Sequence, residues 1–201
     1  MAPADSGSIG FFGEQFARQI ASADYALNPF ESRALPHMRG SVLDLGCGLG
    51  NLSIAAARQG ANVTAIDACG NAVSDLQRRA DAEGLNVRAL REDLSTWRPV
   101  ARYEAVACIG LLMFFDRVHA LAGLEAVRDA VAPGGAAIVN VLVEGTTFLA
   151  MFDPAGHHLF TRDELLAPFS GWAVEALHAE DFPAPGGTLK RFLTLVARRA
   201  A

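Results

Sequence analysis

The stretch Val42-Leu-Asp-Leu-Gly-Cys-Gly-Leu-Gly-Asn51 decides the fold. A short apolar run hands over to glycines at 46, 48 and 50, and Leu52 to Arg58 then reads as a helix that stops at Gly60. Glycines at these positions let the backbone turn tightly and approach a ligand without a Cβ in the way. The dinucleotide fingerprint Gly-x-Gly-x-x-Gly needs its last glycine one residue later, where Asn51 stands. That spacing argues against a hydride-transfer cofactor. Taken alone, the loop is also compatible with an ordinary tight strand–helix turn.

Outward from this loop the chain alternates between strands and helices. Ala61 to Ile66, Val87 to Leu90, Tyr103 to Ile109 and Ala136 to Leu142 read as strands. Asn71 to Glu83 and Arg117 to Val131 read as helices, the second ended by Pro133-Gly134-Gly135. The order predicts βαβ units and a mostly parallel sheet. Thr161-Arg-Asp-Glu164 is a capping box that should open a short helix. Trp172 to Leu177 and Leu189 to Val196 then form two strands across a Pro/Gly loop, Asp181 to Gly187, which predicts an antiparallel hairpin. Residues 9 to 39 read as helical with a break at Asn28-Pro29.

Three acids sharpen the reading of the loop. Asp44 precedes the first glycine, Asp67 closes the second strand and Asp93 follows the third. Ligands of open α/β sheets bind outside the carboxyl ends of the strands, so all three acids should face one crevice. A carboxylate at the end of the second strand can accept both hydroxyls of a ribose. One beside the third strand can accept from an adenine amino group, and Asp44 can lie near a ligand's amino group. Each acid alone could be a helix cap; three at successive strand ends beside the glycine loop are harder to explain that way.

These residues resemble the class I S-adenosylmethionine-dependent methyltransferases. Val42 to Leu52 is similar to that superfamily's first motif, Ile66-Asp67 to its ribose-binding acid, Glu92-Asp93-Leu94 to its adenine-binding segment, and Pro133-Gly134-Gly135 to its turn into the fifth strand. The resemblance runs from about residue 40 to the last residue. It implies an α/β, Rossmann-like, seven-stranded and mostly parallel sheet with an antiparallel last strand and helices on both faces. It implies S-adenosyl-L-methionine as cofactor and S-adenosyl-L-homocysteine as product. The cofactor contacts expected are Asp44, Gly46, Cys47, Gly48, Gly50, Asp67, Ala68, Asp93, Leu94 and Ile109.

Within the superfamily, Leu111 to Phe114, His157 to Leu165 and Leu189 to Arg199 resemble the tellurite-resistance methyltransferases. Arg191 matches an arginine of that family's final strand. The His-Arg pair that the family carries after its sixth strand is replaced here by Ala176-Leu-His-Ala-Glu-Asp-Phe182. The Asn/Asp-Pro-Pro-Tyr motif of enzymes that methylate nucleic-acid or protein nitrogens is absent from the end of the fourth strand. The expected reaction is in-line displacement onto a small-molecule acceptor: a soft thiol, a chalcogen oxyanion, or an oxygen or nitrogen of a metabolite. A cofactor-binding module without catalysis is the alternative. His157, His158 and Arg191 are the candidate catalytic groups, and Tyr25, Met113, Phe114 and Phe152 the candidate acceptor contacts.

Composition narrows the partners. The chain has 201 residues, 51% of them apolar and 19% charged, with a net charge of −5. That predicts one domain with a large core, residues 1–39 forming a helical cap on a core of 40–201. The charge provides no global attraction for nucleic acid. The densest apolar run, Ala105 to Phe115, falls well short of the ~20 residues that span a bilayer. The opening MAPADSGSIG carries no secretory pattern, and cysteines 47, 69 and 108 have neither zinc nor redox spacing, so no metal is expected. A cytoplasmic monomer or homodimer is the resulting expectation.

Overall fold

Strand β1 (Ser41–Leu45) lies at the centre of the sheet and is buried on both faces after its first residue. In the computed structural model, which describes residues 7–153 and 156–201, it pairs in parallel with β2 (Asn62–Asp67) on one side and β4 (Tyr103–Ile109) on the other. Strand β3 (Val87–Arg91) extends the sheet beyond β2, and β5 (Val131–Leu142) beyond β4. Beyond β5 comes β7 (Thr188–Arg198), antiparallel to it, and then β6 (Ala173–Ala184), antiparallel to β7. The order is therefore β3-β2-β1-β4-β5-β7-β6, with β7 alone reversed.

Side-chain alternation along these strands builds two cores. Val42, Val63, Ala105, Ala107 and Ile138 pack against α3 (Asn51–Arg58) and α4 (Gly70–Ala82). Leu43, Leu45, Val106, Cys108 and Val139 pack against α5 (Arg117–Ala130) and α6 (Arg162–Leu166) on the opposite face. The apolar excess of the sequence is thus used by strands covered on both sides. Among the described residues no helix is long and apolar enough to cross a membrane.

Three boundaries differ from the sequence reading. Helix α5 ends before Pro133, and Pro133-Gly134-Gly135 forms an irregularity inside a longer β5, whose register shifts between Tyr103↔Val131 and Ala105↔Ala136. Strand β6 continues through most of the predicted loop, leaving Pro185–Gly187 as the turn; Pro183 is tolerated because β6 is an edge strand. The break expected at Asn28-Pro29 is present but begins earlier, after residue 22, and Asn28-Pro29 opens α2 (Pro29–Ala34). The Asn28 side chain accepts from the Phe30 and Glu31 amides, and the Glu31 carboxylate accepts from the Asn28 amide at 2.8 Å. The predicted capping box at Thr161 is present and opens α6.

The head consists of α1 (Gly7–Ser22) and α2; the first six residues of the expected cap, and residues 154 and 155 of the loop before α6, lie outside the described residues. Phe16 and Ile20 of α1 pack with Tyr25 against Leu49, Cys69 and Ala72. Helix α2 is fastened to the β6–β7 hairpin by Phe30 against Phe192 (4.7 Å) and Phe182 (5.6 Å), and by the Arg33–Glu180 ion pair.

Candidate active site

The carboxyl ends of β1, β2 and β4 open into a cleft of about 630 Å³, roofed by α1 and the start of α2. This is within the usual range for small-molecule sites. Its floor is the glycine loop. The Gly46 and Cys47 amides both donate to the Ile66 carbonyl (2.8 and 3.1 Å), which ties the turn to β2. Gly50 adopts φ +67°, and a Cβ there would lie 2.4 Å from Leu76 Cδ2. Gly48, at φ +53°, has the Phe16 ring of α1 directly above it, 3.0 Å from where its Cβ would be.

Asp67 closes the second side of the floor. Its Oδ2 accepts from the Gly48 amide and its Oδ1 from the Cys69 amide, both at 2.8 Å. Burial raises its pKa, and these amide bonds work against that rise. Asp93, further along the same side, accepts from the amide and hydroxyl of Ser95. Ala68, Leu94, Ile109 and Cys47 also line the cleft. Burial pushes the Cys47 thiol well above its ordinary value, which keeps it a packed neutral thiol.

Asp44 and Gly50 serve the cleft from beneath and do not line it. Asp44 is only 3% exposed and accepts a 2.6 Å hydrogen bond from the Ser53 hydroxyl, joining β1 to the first turn of α3. Burial raises its pKa to about 7; the Ser53 bond opposes this, and the charges of Glu31 and Asp67 add to it. Asp44 braces the loop from beneath through the Ser53 bond.

The candidate catalytic groups are not brought together at the cleft. His158 Nε2 lies 3.0 Å from Glu164 Oε2, and its ring packs edge-on against Phe160. His157 stacks on Phe152 at 4.8 Å, with Nδ1 3.3 Å from the Asp153 carbonyl. Arg191 pairs with Asp181 across the β6–β7 hairpin at 3.1 Å and lies over Gly145. None of the three lines the cleft. Of the candidate acceptor contacts, Phe114 lines it. Met113 and Phe152 form a cluster with Leu142 behind that wall. Tyr25 sits under the Arg79 guanidinium, 4.0 Å from its ring centroid, and helps fix the head to α4.

Sequence reasoning missed the roof. Phe12, Gln15, Phe16 and Gln19 of α1 all line the cleft, as do Asn28 and Glu31. The spacing i, i+3, i+4, i+7 along α1 is one helix face, and Asn28-x-x-Glu31 is a capping pattern, so both signals were present in the sequence. Phe12 touches Phe114 edge-on at 5.0 Å, so head and β4 segment form one aromatic wall. The ionisable side chains lining the cleft are Glu31, Asp67 and Asp93 with two buried thiols; no Lys, Arg or His is among the described lining residues.

Comparison with known proteins follows this geometry. Residues 42–135 match a family model described as a methyltransferase domain. A ubiquinone biosynthesis O-methyltransferase of Xylella fastidiosa is 32% identical over 176 residues, covering 78% of this chain and 70% of that protein. TehB from Haemophilus influenzae has the same fold, with a TM-score of 0.72 at 20% identity over 87% of this chain; the chain spans 62% of that structure's length. Magnesium protoporphyrin IX methyltransferase of Synechocystis PCC 6803, solved with bound S-adenosylhomocysteine, has a TM-score of 0.63 at 20% identity, covering 96% of this chain and 84% of that one.

Proposed function

Because this chain belongs to the class I S-adenosylmethionine-dependent methyltransferases, we propose that it methylates a hydroxyl oxygen of a small, uncharged acceptor with an aromatic or apolar body. The residues present fit the cofactor. Each Asp67 oxygen holds one backbone amide and keeps a lone pair for a ribose hydroxyl. Asp93 and Leu94 border the place for adenine, and Gly46 and Gly48 line the floor of the cleft. When bound, the cofactor supplies an electrophilic methyl on a sulfonium.

The observation that carries the acceptor class is the apolar wall beside the glycine loop. Phe12, Leu111, Phe114 and Phe115 form it, and the lining offers three carboxylates with no cation among the described residues. Such a cleft complements a positively charged cofactor. An oxyanion would enter it with no partner for its charge, which is costly. The chalcogen-oxyanion option is therefore disfavoured. A nucleic-acid substrate fares no better, since no Lys or Arg among the described lining residues would meet phosphate.

The chain's contribution is to hold donor and acceptor in line and to exclude water, which can supply roughly 7–11 kcal/mol of barrier lowering. With no histidine or lysine among the described lining residues to take a proton, an acidic hydroxyl suits the cleft better than an aliphatic one. A phenol, with a pKa near ~10, is of that kind. The oxygen–methyl bond forms as the sulfur–methyl bond breaks, and the hydroxyl proton leaves to water at the mouth. The name of the Xylella fastidiosa relative supports an O-methyl product.

An acceptor panel tests this. Release of S-adenosylhomocysteine would be followed with simple phenols and catechols, an alkyl thiol, and tellurite or selenite. The expected order in kcat/KM places the phenols first and the oxyanions at background. Turnover of an oxyanion above that of every phenol would overturn the reading, and absence of any turnover alongside tight cofactor binding would favour a non-catalytic module.

A further inference from the structure

Two side-chain carboxamides face the cleft from its roof and have no task in the account so far. Gln15 and Gln19 of α1 both line it and are half-buried. Neither side chain has a hydrogen-bond partner among the described residues. The rotation of α1 shows which part of the cleft they serve. A Cβ on Gly13 would lie 3.7 Å from Cys69 Sγ, and Phe16 lies over Gly48, so this flank of the helix covers the ends of β1 and β2, where Asp67 stands. Successive helical residues are turned by about 100°, which sets Gln19 about 60° and Gln15 about 100° round from Phe16, away from that flank. Phe12 lies between and meets Phe114 edge-on at 5.0 Å. The two carboxamides therefore sit on the side of the apolar wall, not of the ribose acid.

Resting on the O-methylation reading of this cleft, we propose that Gln15 and Gln19 select the acceptor by receiving a second polar group on its ring. That group is neutral, stands apart from the reacting hydroxyl, and both donates and accepts hydrogen bonds. A carboxamide has an oxygen that accepts and an NH2 that donates, so its complement carries both functions, as a hydroxyl or another carboxamide does. A carboxylate offers only acceptors and would bring a negative charge beside three acids. An aliphatic substituent would leave both carboxamides dry and unpaired, which costs more than their bonds would contribute. The i, i+4 spacing sets the two amides one above the other on the helix, so both can reach one substituent. The aromatic wall then holds the ring, and the amides fix which way it points.

Matched acceptors test this. Phenols substituted at ring position 3 or 4 with methyl, hydroxymethyl or carboxamide are compared by kcat/KM, with S-adenosylmethionine as donor. The wild-type chain should prefer a hydroxymethyl or carboxamide phenol to its methyl counterpart by roughly 10-fold at one ring position. Gln15→Met keeps the length and helix-forming character of the side chain and removes its hydrogen bonds. It should cut that preference by roughly 5- to 10-fold, leave the methyl phenols within about twofold, and leave S-adenosylhomocysteine affinity by calorimetry unchanged. Gln19→Met should act in the same direction. The series that loses more on substitution tells a hydroxyl from a carboxamide as the group received. A preference that survives both substitutions would overturn the proposal, as would weakened S-adenosylhomocysteine binding, which would make these residues cofactor contacts. Turnover of the methyl phenols with no preference for a polar group would overturn this inference alone; turnover of no phenol would overturn the hydroxyl-acceptor reading and this inference with it.

Discussion

At the scale of single residues, Asp44 shows how the chain spends stability on its site. Its folded pKa of about 7 lies above the ordinary 3.8 because it is buried beneath the loop. Between those values the folded state holds a proton that the unfolded state has released, so stability should fall as pH rises from about 4 to about 7. Urea midpoints across that range should show this slope, and Asp44→Asn should flatten it; an unchanged slope would contradict the assignment. Gly50→Ala places a Cβ at φ +67° and against Leu76, and should cost about 1–2 kcal/mol from the backbone alone. With displacement of Leu76 added, a fall of several degrees in Tm by scanning calorimetry is expected. Phe114→Ala opens the aromatic wall. It should raise KM for a phenolic acceptor by roughly 10- to 100-fold while leaving S-adenosylhomocysteine affinity unchanged.

At the scale of elements, the head is the part whose attachment matters most for function. Helix α2 has only six residues and cannot hold itself as an isolated helix. Its place depends on the capping box and on Phe30 seated against Phe182 and Phe192. The exposed Arg33–Glu180 pair adds little. Phe30→Ala should therefore speed amide exchange across Glu31–Ala34 and leave β1 and β4 protected, as hydrogen exchange would read. The elements themselves were largely legible in the sequence. Strand β4 is found where its apolar run predicts it, and Asp67 and Asp93 stand at the strand ends that the alternation of strands and helices implies. The pairing of individual side chains was not legible. His158 looked available until Glu164 and Phe160 were brought against it, and Arg191 until β6 placed Asp181 beside it. These partners are close along the chain, and the capping box and the β6–β7 hairpin place them; the spacing along α1 marks its face, while the seat of that face over the cleft comes from tertiary packing.

At the scale of the molecule, a sheet covered on both faces leaves the carboxyl ends of its parallel strands open, and the head roofs that opening. The cleft that remains is acidic and aromatic, which fits a cationic donor and an uncharged acceptor better than any anionic pair. The net charge of −5 agrees with that sign without determining it. The central claim is that this cleft binds S-adenosylmethionine through the acid that closes β2. Titration of S-adenosylhomocysteine into the wild-type chain and into Asp67→Ala tests it most directly. The account predicts saturable one-to-one binding that Asp67→Ala weakens at least tenfold. Binding by the variant equal to the wild type, or no binding by the wild type at millimolar ligand, would contradict it.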